Sequence, residues 1–218
     1  MSQEKPIKLV SFDFDGTLIL ENSWRVFHKA CNITEEEDQK YHDLYNSKKI
    51  TYNEWADILS DMWKERVVIT RDFAKSVSGT FHLREGAREI VSYLKDKGYR
   101  IIVTTGAMDV LVQPVIEELG IETLVTITGA RFDESGTYLG VDNKTKSERG
   151  GEAKGEAFRQ FLLREGIDAS TCAHIGDGEN DLSVFEMVGK PIALDSEYLK
   201  EYHPKYKIRD FSEIKSIL

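Results

Sequence analysis

Cysteine is scarce in this chain and clustered basic residues are missing. Of 218 residues only two are cysteines, Cys31 and Cys172, far apart and in no metal-like spacing. A disulfide framework and a cysteine metal site are thereby excluded. One pairing between the two stays open beside the reading adopted here, two reduced core thiols in a cytoplasmic protein. No dense block of Lys and Arg occurs, and the formal net charge is −9. That balance argues against a nucleic-acid partner or an anionic membrane surface. No apolar stretch approaches membrane-spanning length, and Met1-Ser2-Gln3-Glu4-Lys5-Pro6 lacks the long apolar run of a signal peptide. What remains is 40% hydrophobic and 31% charged, an ordinary globule able to bury a real core.

The most informative stretch is Asp13-Phe14-Asp15-Gly16-Thr17. Two acids lie two residues apart just after the apolar run Ile7 to Phe12, where a buried strand runs out into a Gly-Thr turn. Both carboxylates then sit at the carboxyl end of a strand, the edge where open α/β sheets bind ligands. Such a pair repels itself unless a cation or a reaction offsets the charge. Taken alone, the same residues also describe a simple strand-terminal turn.

From Leu20 to about His82 the pattern is helical. Trp24, Phe27, His28 and Cys31 recur at helical spacing, as do Trp55, Ile58, Leu59 and Met62, and then Phe73, Val77 and Phe81. Signals at Asn32 to Thr34, Asn46-Ser47 and Thr70 divide the stretch into four helices, and all three tryptophans fall inside it. From Gly86 the pattern alternates. A helix through Ala87 and Leu94 ends at Gly98, and Ile101-Ile102-Val103 is a short strand closing on Thr104-Thr105-Gly106-Ala107. A helix follows to about Leu119, with Pro114 in its first turn or kinking it. Thr123 to Phe132 and Thr137 to Val141 flank a β-hairpin, Gly150-Gly151 opens a helix, Thr171 to Ile175 is a strand, and a helix starts near Asn180. Strands at Lys190 to Leu194 and Tyr206 to Ile208 and a helix at Phe211 to Leu218 close the chain. Alternation of this kind predicts an α/β, Rossmann-like, mostly parallel sheet with helices on both faces. A small helical bundle is thus expected as an insert after the first strand, with residues 1–18 and 84–218 as one α/β unit and 19–83 as the helical one, joined near Leu18-Ile19 and Leu83-Arg84.

Polar groups now stand at three strand ends: Asp13 and Asp15, Thr105, then Asp177 and Asp181, with Lys154 at a helix start near the same edge. Asp13-Phe14-Asp15-Gly16-Thr17, the strand ending in Thr105-Gly106, Ala153-Lys154-Gly155-Glu156 and Gly176-Asp177-Gly178-Glu179-Asn180-Asp181 together resemble the four motifs of the haloacid dehalogenase superfamily. The resemblance implies a phosphatase acting on a small phosphorylated metabolite, as a monomer or homodimer. By it, Asp13 is the nucleophile that forms an aspartyl-phosphate, and Asp15 is the acid that protonates the leaving alkoxide and later takes a proton from water. Asp15 also argues against a dehalogenase, whose halide needs no proton. Thr105, Gly106 and Lys154 are implied to hold the phosphate, and Asp177, one Asp13 oxygen and the Asp15 main-chain carbonyl to hold Mg²⁺. By the same resemblance Asp181 would orient a metal water or Lys154. Asn180 positions phosphate or Asp181, or caps a helix.

The inserted helices and the Lys154-Gly155-Glu156 and Gly176 to Asp181 segments look like the phosphoserine-phosphatase branch. In that branch a glutamate nine residues after the nucleophile meets the substrate amino group; here the position is Asn22, with Glu21 one place earlier. Glu21 and Asn22 are therefore candidate substrate contacts, with a solvated first turn as the other reading of Glu21. The branch's carboxylate-binding arginine is matched only loosely, by Arg66. A phosphatase for another metabolite and a phosphotransferase to an alcohol are the enzymatic alternatives. A silent phosphate-binding scaffold is the non-enzymatic one. No lysine is singled out for the imine chemistry of phosphonate cleavage.

Overall fold

In a computed structural model, residues 5–194, 199, 202 and 204–218 are described. The N-terminal stretch 1–4, part of the leader reading above, lies outside the described residues. The elements are β1 (Leu9–Phe12), α1 (Ser23–Ala30), α2 (Glu35–Asn46), α3 (Tyr52–Arg66), α4 (Arg71–Ser78), α5 (Ala87–Asp96), β2 (Arg100–Met108), α6 (Asp109–Glu118), β3 (Thr123–Phe132), β4 (Tyr138–Asn143), α7 (Gly150–Glu165), β5 (Cys172–Gly176), α8 (Leu182–Phe185), β6 (Lys190–Leu194) and β7 (Tyr206–Ile208). A seven-stranded sheet runs β4-β3-β2-β1-β5-β6-β7, every pair parallel except β3 with β4. The order reverses at β1, which lies between β2 and β5, so the crevice opens at the carboxyl end of β1. This is the α/β architecture predicted from the alternation.

Strand β1 is buried on both faces, and its side chains divide between two layers. Val10 and Phe12 join Ile90 and Val91 of α5, Val112 and Ile116 of α6, and Phe211 and Ile214. Leu9 joins Phe158, Phe161 and Leu162 of α7 and Val184 of α8. Helices thus cover both faces, as a parallel sheet demands. The inserted lobe consists of α1 to α4. Thr34 with Glu37, and Thr51 with Glu54, form capping boxes that start α2 and α3, while Thr70 caps α4. Trp24, Phe27, Trp55, Leu59 and Trp63 pack in one cluster that also takes in Met108, Leu111, Ile127, Tyr138 and Val141. The lobe therefore shares its apolar interior with β2, α6, β3 and β4. At its base, Leu20 N donates to His82 O and Arg84 N to Leu18 O, a short antiparallel pairing of the two connections at 2.9 Å each.

Several expected boundaries move. Strand β2 continues to Met108, just past the Thr104-Thr105-Gly106-Ala107 segment on which it was expected to close; its ladder with β3 is regular to Thr105 and resumes only at Met108. Pairing to β3 holds Thr104 and Thr105, and again Met108, in the sheet although the apolar run has stopped. Pro114 sits in the interior of α6. The chain after Gly178 is a 3₁₀ turn, Glu179–Asp181, before the short α8, and the closing helix is 3₁₀ over Phe211–Ser216. Thr171 ends a 3₁₀ turn, so β5 starts one residue later than predicted and includes Gly176.

Candidate active site

The turn after β1 aims its two acids differently. Asp13 is 2% exposed, and its Oδ1 lies 2.7 Å from Lys154 Nζ. Asp15 turns toward the lobe, where its carboxylate accepts from the Ser23 main-chain N–H at 2.9 Å and the Ser23 hydroxyl at 3.0 Å. It thus caps α1 together with Asn22, whose Oδ1 accepts from Arg25 N at 3.0 Å. Gly16 is at φ +69°, and a Cβ there would stand 2.4 Å from Asp177 Oδ2, so only glycine permits this approach of β1 and β5 loops.

Lys154 enters from the first turns of α7 and is 1% exposed. Its ammonium bridges Asp13 and Asp181, with Asp181 Oδ1 at 2.5 Å. Asp181 is fully buried; its Oδ2 accepts from Gly178 N at 3.0 Å and its Oδ1 also meets His174 Nε2 at 2.8 Å. Asp177 Oδ1 accepts from the Thr17 hydroxyl at 3.0 Å. On β2, Thr105 Oγ1 accepts from Ala107 N at 3.0 Å, which leaves the hydroxyl proton to be given elsewhere. The Gly106 carbonyl accepts from Trp24 Nε1 at 3.3 Å and the Tyr52 hydroxyl at 3.1 Å, so two lobe side chains hold the strand segment next to Thr105.

These groups share a cavity of about 640 Å³. Asp13, Asp15, Thr105, Gly106, Lys154, Asp177 and Asn180 line its core end, and Glu21, Asn22, Arg25, His28, Asp38 and Tyr45 are on the lobe side. Glu21 accepts from His82 N at 3.0 Å and pairs with the His82 ring, and Asn180 is exposed on the rim. Arg66 is elsewhere. It pairs with Glu37 through both carboxylate oxygens, at 2.6 and 2.8 Å, and donates to Asn32 O. That two-point pairing locks α2 to the end of α3, so Arg66 does not serve the cavity. Arg84, read in the sequence only as a hinge, lines the cavity and donates from its Nε to Thr17 O at 2.9 Å and from its Nη2 to Gly16 O. Tyr52, Trp24 and His174 likewise gave no sequence signal of a place near the chemistry.

The charges are unbalanced in a telling way. Burial, then the negative charge of Asp181, lifts the Asp13 carboxyl well above the usual range despite Lys154. Burial raises Asp15 to about 6, against the Ser23 hydrogen bonds that favour its ionised form. Burial and Asp181 raise Asp177. Burial also opposes charge on Asp181, yet Lys154 and His174 outweigh it and hold that carboxyl well below its ordinary value. Among the described residues, Asp13, Asp177 and Asp181 each bring one oxygen within 4.8 Å of the others. Asp13 Oδ1 is buried with no aligned hydrogen bond. A cluster of hard oxygen donors with surplus negative charge fits a divalent cation of the magnesium or calcium type. Lys154, His174 and Gly178 donate to both oxygens of Asp181, so its carboxylate is the one already engaged within the protein.

Comparison with known proteins agrees with this geometry. The model of the haloacid dehalogenase-like hydrolase family matches residues 7–189. The chain is 28% identical over 194 residues to a phosphoserine phosphatase of Methanocaldococcus jannaschii, covering 87% of this chain and 86% of that protein. With the phosphoserine phosphatase of Homo sapiens it shares 25% identity over 210 residues, 94% of this chain and 90% of the other. A solved phosphoserine phosphatase bearing an analogue of its phospho-aspartyl intermediate superposes with a TM-score of 0.77 at 25% identity, over 98% of this chain and 100% of that one. With sequence, fold and cavity in accord over most of its length, the chain belongs to the haloacid dehalogenase-like hydrolases.

Proposed function

We propose that the protein is a Mg²⁺-dependent phosphatase that hydrolyses a small phosphate monoester through an aspartyl-phosphate on Asp13. The observation that carries the reading is the different handling of two neighbouring acids. Asp13 is paired to a buried lysine, while Asp15, two residues on, turns toward the lobe with its carboxyl raised by burial to about 6, the range suited to an acid that gives and retakes a proton. Relatives named phosphoserine phosphatase support a phosphoserine-like substrate.

In the first step an Asp13 carboxylate oxygen attacks phosphorus as the bond from phosphorus to the alcohol oxygen breaks, and Asp15 delivers its proton to that oxygen. In the second, Asp15 takes a proton from water as the water oxygen attacks phosphorus and the Asp13 to phosphorus bond breaks. The Thr105 hydroxyl donates a hydrogen bond to a phosphate oxygen and keeps its proton. Lys154 balances charge on Asp13 and on the transferring group, and does so cheaply because it is already dehydrated and aimed. Asp13, Asp177 and the Asp15 carbonyl would hold Mg²⁺, which when bound lowers the repulsion between the anionic nucleophile and the anionic phosphate. Asp181 anchors Lys154. The lining of the lobe side of the cavity by Glu21 and Asn22 supports a contact of these two residues with the leaving alcohol. Residues 19–83 act as the cap over a core of 1–18 and 84–218. The unpaired buried thiols Cys31 and Cys172 support a reducing compartment, the cytoplasm.

The test is Asp13→Asn. Turnover of an aryl phosphate with Mg²⁺ should vanish, whereas the thermal midpoint should hold or rise because one of three crowded carboxylates is neutralised. Retention of more than a trace of activity would exclude Asp13 as the nucleophile.

A further inference from the structure

His174 is fully buried in the middle of β5, among Cys172, Ala173 and Ile175, a place where an imidazole is costly unless its nitrogens are used. Both are used. Nε2 lies 2.8 Å from Asp181 Oδ1, and Nδ1 lies 3.0 Å from the Ser11 hydroxyl, which is hydrogen-bonded to Thr104 Oγ1 at 2.8 Å. A polar thread thus crosses the three central strands β5, β1 and β2 beneath the cavity. Phe158 and Phe185 pack against the ring, with centroids 6.3 and 5.5 Å away. The thread ends on the carboxylate that anchors Lys154.

We propose that His174 is a positioning residue for phosphoryl transfer, holding the Asp181 carboxylate so that Lys154 is shared between Asp181 and Asp13. The proposal rests on the function given above. A carboxylate can only accept, so the proton in the contact sits on His174 Nε2. Three donors, Lys154 Nζ, His174 Nε2 and Gly178 N, then fix the plane of Asp181. Two of them compete for Oδ1. Without the imidazole, that oxygen gives all its attraction to Lys154 and the carboxylate can rotate. The ammonium is then drawn from Asp13 and from the phosphoryl group, where its charge counts in the transition state. Gly176 shows how tightly the arrangement is built: a Cβ there would stand 2.2 to 2.6 Å from the Asp181 carboxyl atoms, so the carboxylate lies directly on the β5 backbone.

Three substitutions separate positioning from packing. In His174→Gln the amide nitrogen reaches the place of Nε2 and keeps the contact to Asp181. In His174→Asn the shorter amide reaches only the place of Nδ1 and keeps the contact to Ser11. His174→Phe keeps the ring shape alone. Steady-state hydrolysis of an aryl phosphate with saturating Mg²⁺ is compared with thermal melts of the same samples. The expected kcat is within about threefold of wild type for Gln and lower by about ten- to a hundredfold for Asn and Phe, with KM nearly unchanged and no matching order in the melts. In an Asp181→Asn background, His174→Asn should add little further loss, because the two act through one contact. The proposal is overturned by a folded Phe variant with full kcat, by Gln and Asn losing activity equally in step with stability, or by additive losses in the double variant. Should Phe fail to fold, the comparison of Gln with Asn decides. A wild-type protein without phosphatase activity would overturn the functional reading itself, a result distinct from active wild type with indifferent His174 variants.

Discussion

The Tyr52 hydroxyl donates to the Gly106 carbonyl at 3.1 Å while standing 2.7 Å from Thr128 Oγ1, so one lobe residue ties together two core strands beside Thr105. Trp24 Nε1 reaches the same carbonyl from α1. The inserted helices therefore bear directly on the backbone that presents Thr105. If Thr105 holds the phosphate, lobe position and phosphate binding are coupled through this backbone, as closure of a cap would require.

Removing the Tyr52 hydroxyl tests this coupling. Tyr52→Phe keeps the ring against Tyr45 and Trp55 but leaves the Gly106 carbonyl with Trp24 alone. The loss of one buried hydrogen bond, about 0.5–1.5 kcal/mol, should raise the inhibition constant for inorganic phosphate and KM together by roughly two- to tenfold. A variant with both constants unchanged would leave Tyr52 as lobe packing only.

For Asp15→Asn the leaving group is the informative variable. The amide keeps its place at the start of α1 but cannot supply a proton. Loss of kcat should be deepest for a basic alkoxide, on the order of 10²–10⁴, and distinctly milder for an activated aryl phosphate. Equal losses for both would contradict the role of general acid, and Lys154→Ala, whose task is electrostatic, should be severe with either substrate.

How much of this was legible in the sequence depended on whether a feature is local. Asp13, Asp15 and Asp177 stand out because an apolar strand stops at each of those turns, and Lys154 because it follows Gly150-Gly151 at a helix start. Strand β2 runs on to Met108, past the Thr104-Thr105-Gly106-Ala107 segment where the apolar run stops, because β3 pairs with Thr104, Thr105 and Met108. Tyr52 and Trp24 meet Gly106 across 54 and 82 residues, and His174 looks like one polar position in a strand. Contacts of that kind follow from tertiary packing, which leaves no periodic trace. Arg66 shows the converse, a residue suggested by family likeness whose partner, Glu37, is set by the geometry of α2 and α3.

The Arg66 to Glu37 pairing has its own pH signature. Arg66 holds the Glu37 carboxyl down at about 2, against an ordinary value of 4.5. A depressed carboxyl contributes stability that is fully present above the unfolded value and is lost as pH falls through the folded one. Arg66→Ala should therefore lower the thermal midpoint near neutral pH, with the gap to wild type closing between about pH 4.5 and 2. The side chains are partly exposed, so the gap should be small and should shrink in salt. Relative rates on a panel of phosphorylated metabolites should be unchanged. An altered panel would return Arg66 to the substrate.

Gly16 and Asp177 give the sharpest test of the proposed metal site. At φ +69° an alanine is strained, and its Cβ, 2.4 Å from Asp177 Oδ2, would push the carboxylate away from Asp13. If Asp13 and Asp177 hold Mg²⁺, Gly16→Ala should raise the Mg²⁺ concentration for half-maximal activity by about ten- to a hundredfold, in the direction of Asp177→Ala. Ca²⁺ should inhibit the wild-type enzyme, because it takes more ligands at longer distances and would misplace the nucleophile. Magnesium binding followed by calorimetry should weaken in parallel, which separates lost affinity from lost chemistry. Full activity after exhaustive chelation, or a Gly16→Ala protein with normal Mg²⁺ affinity and normal turnover, would remove Asp177 from the metal site.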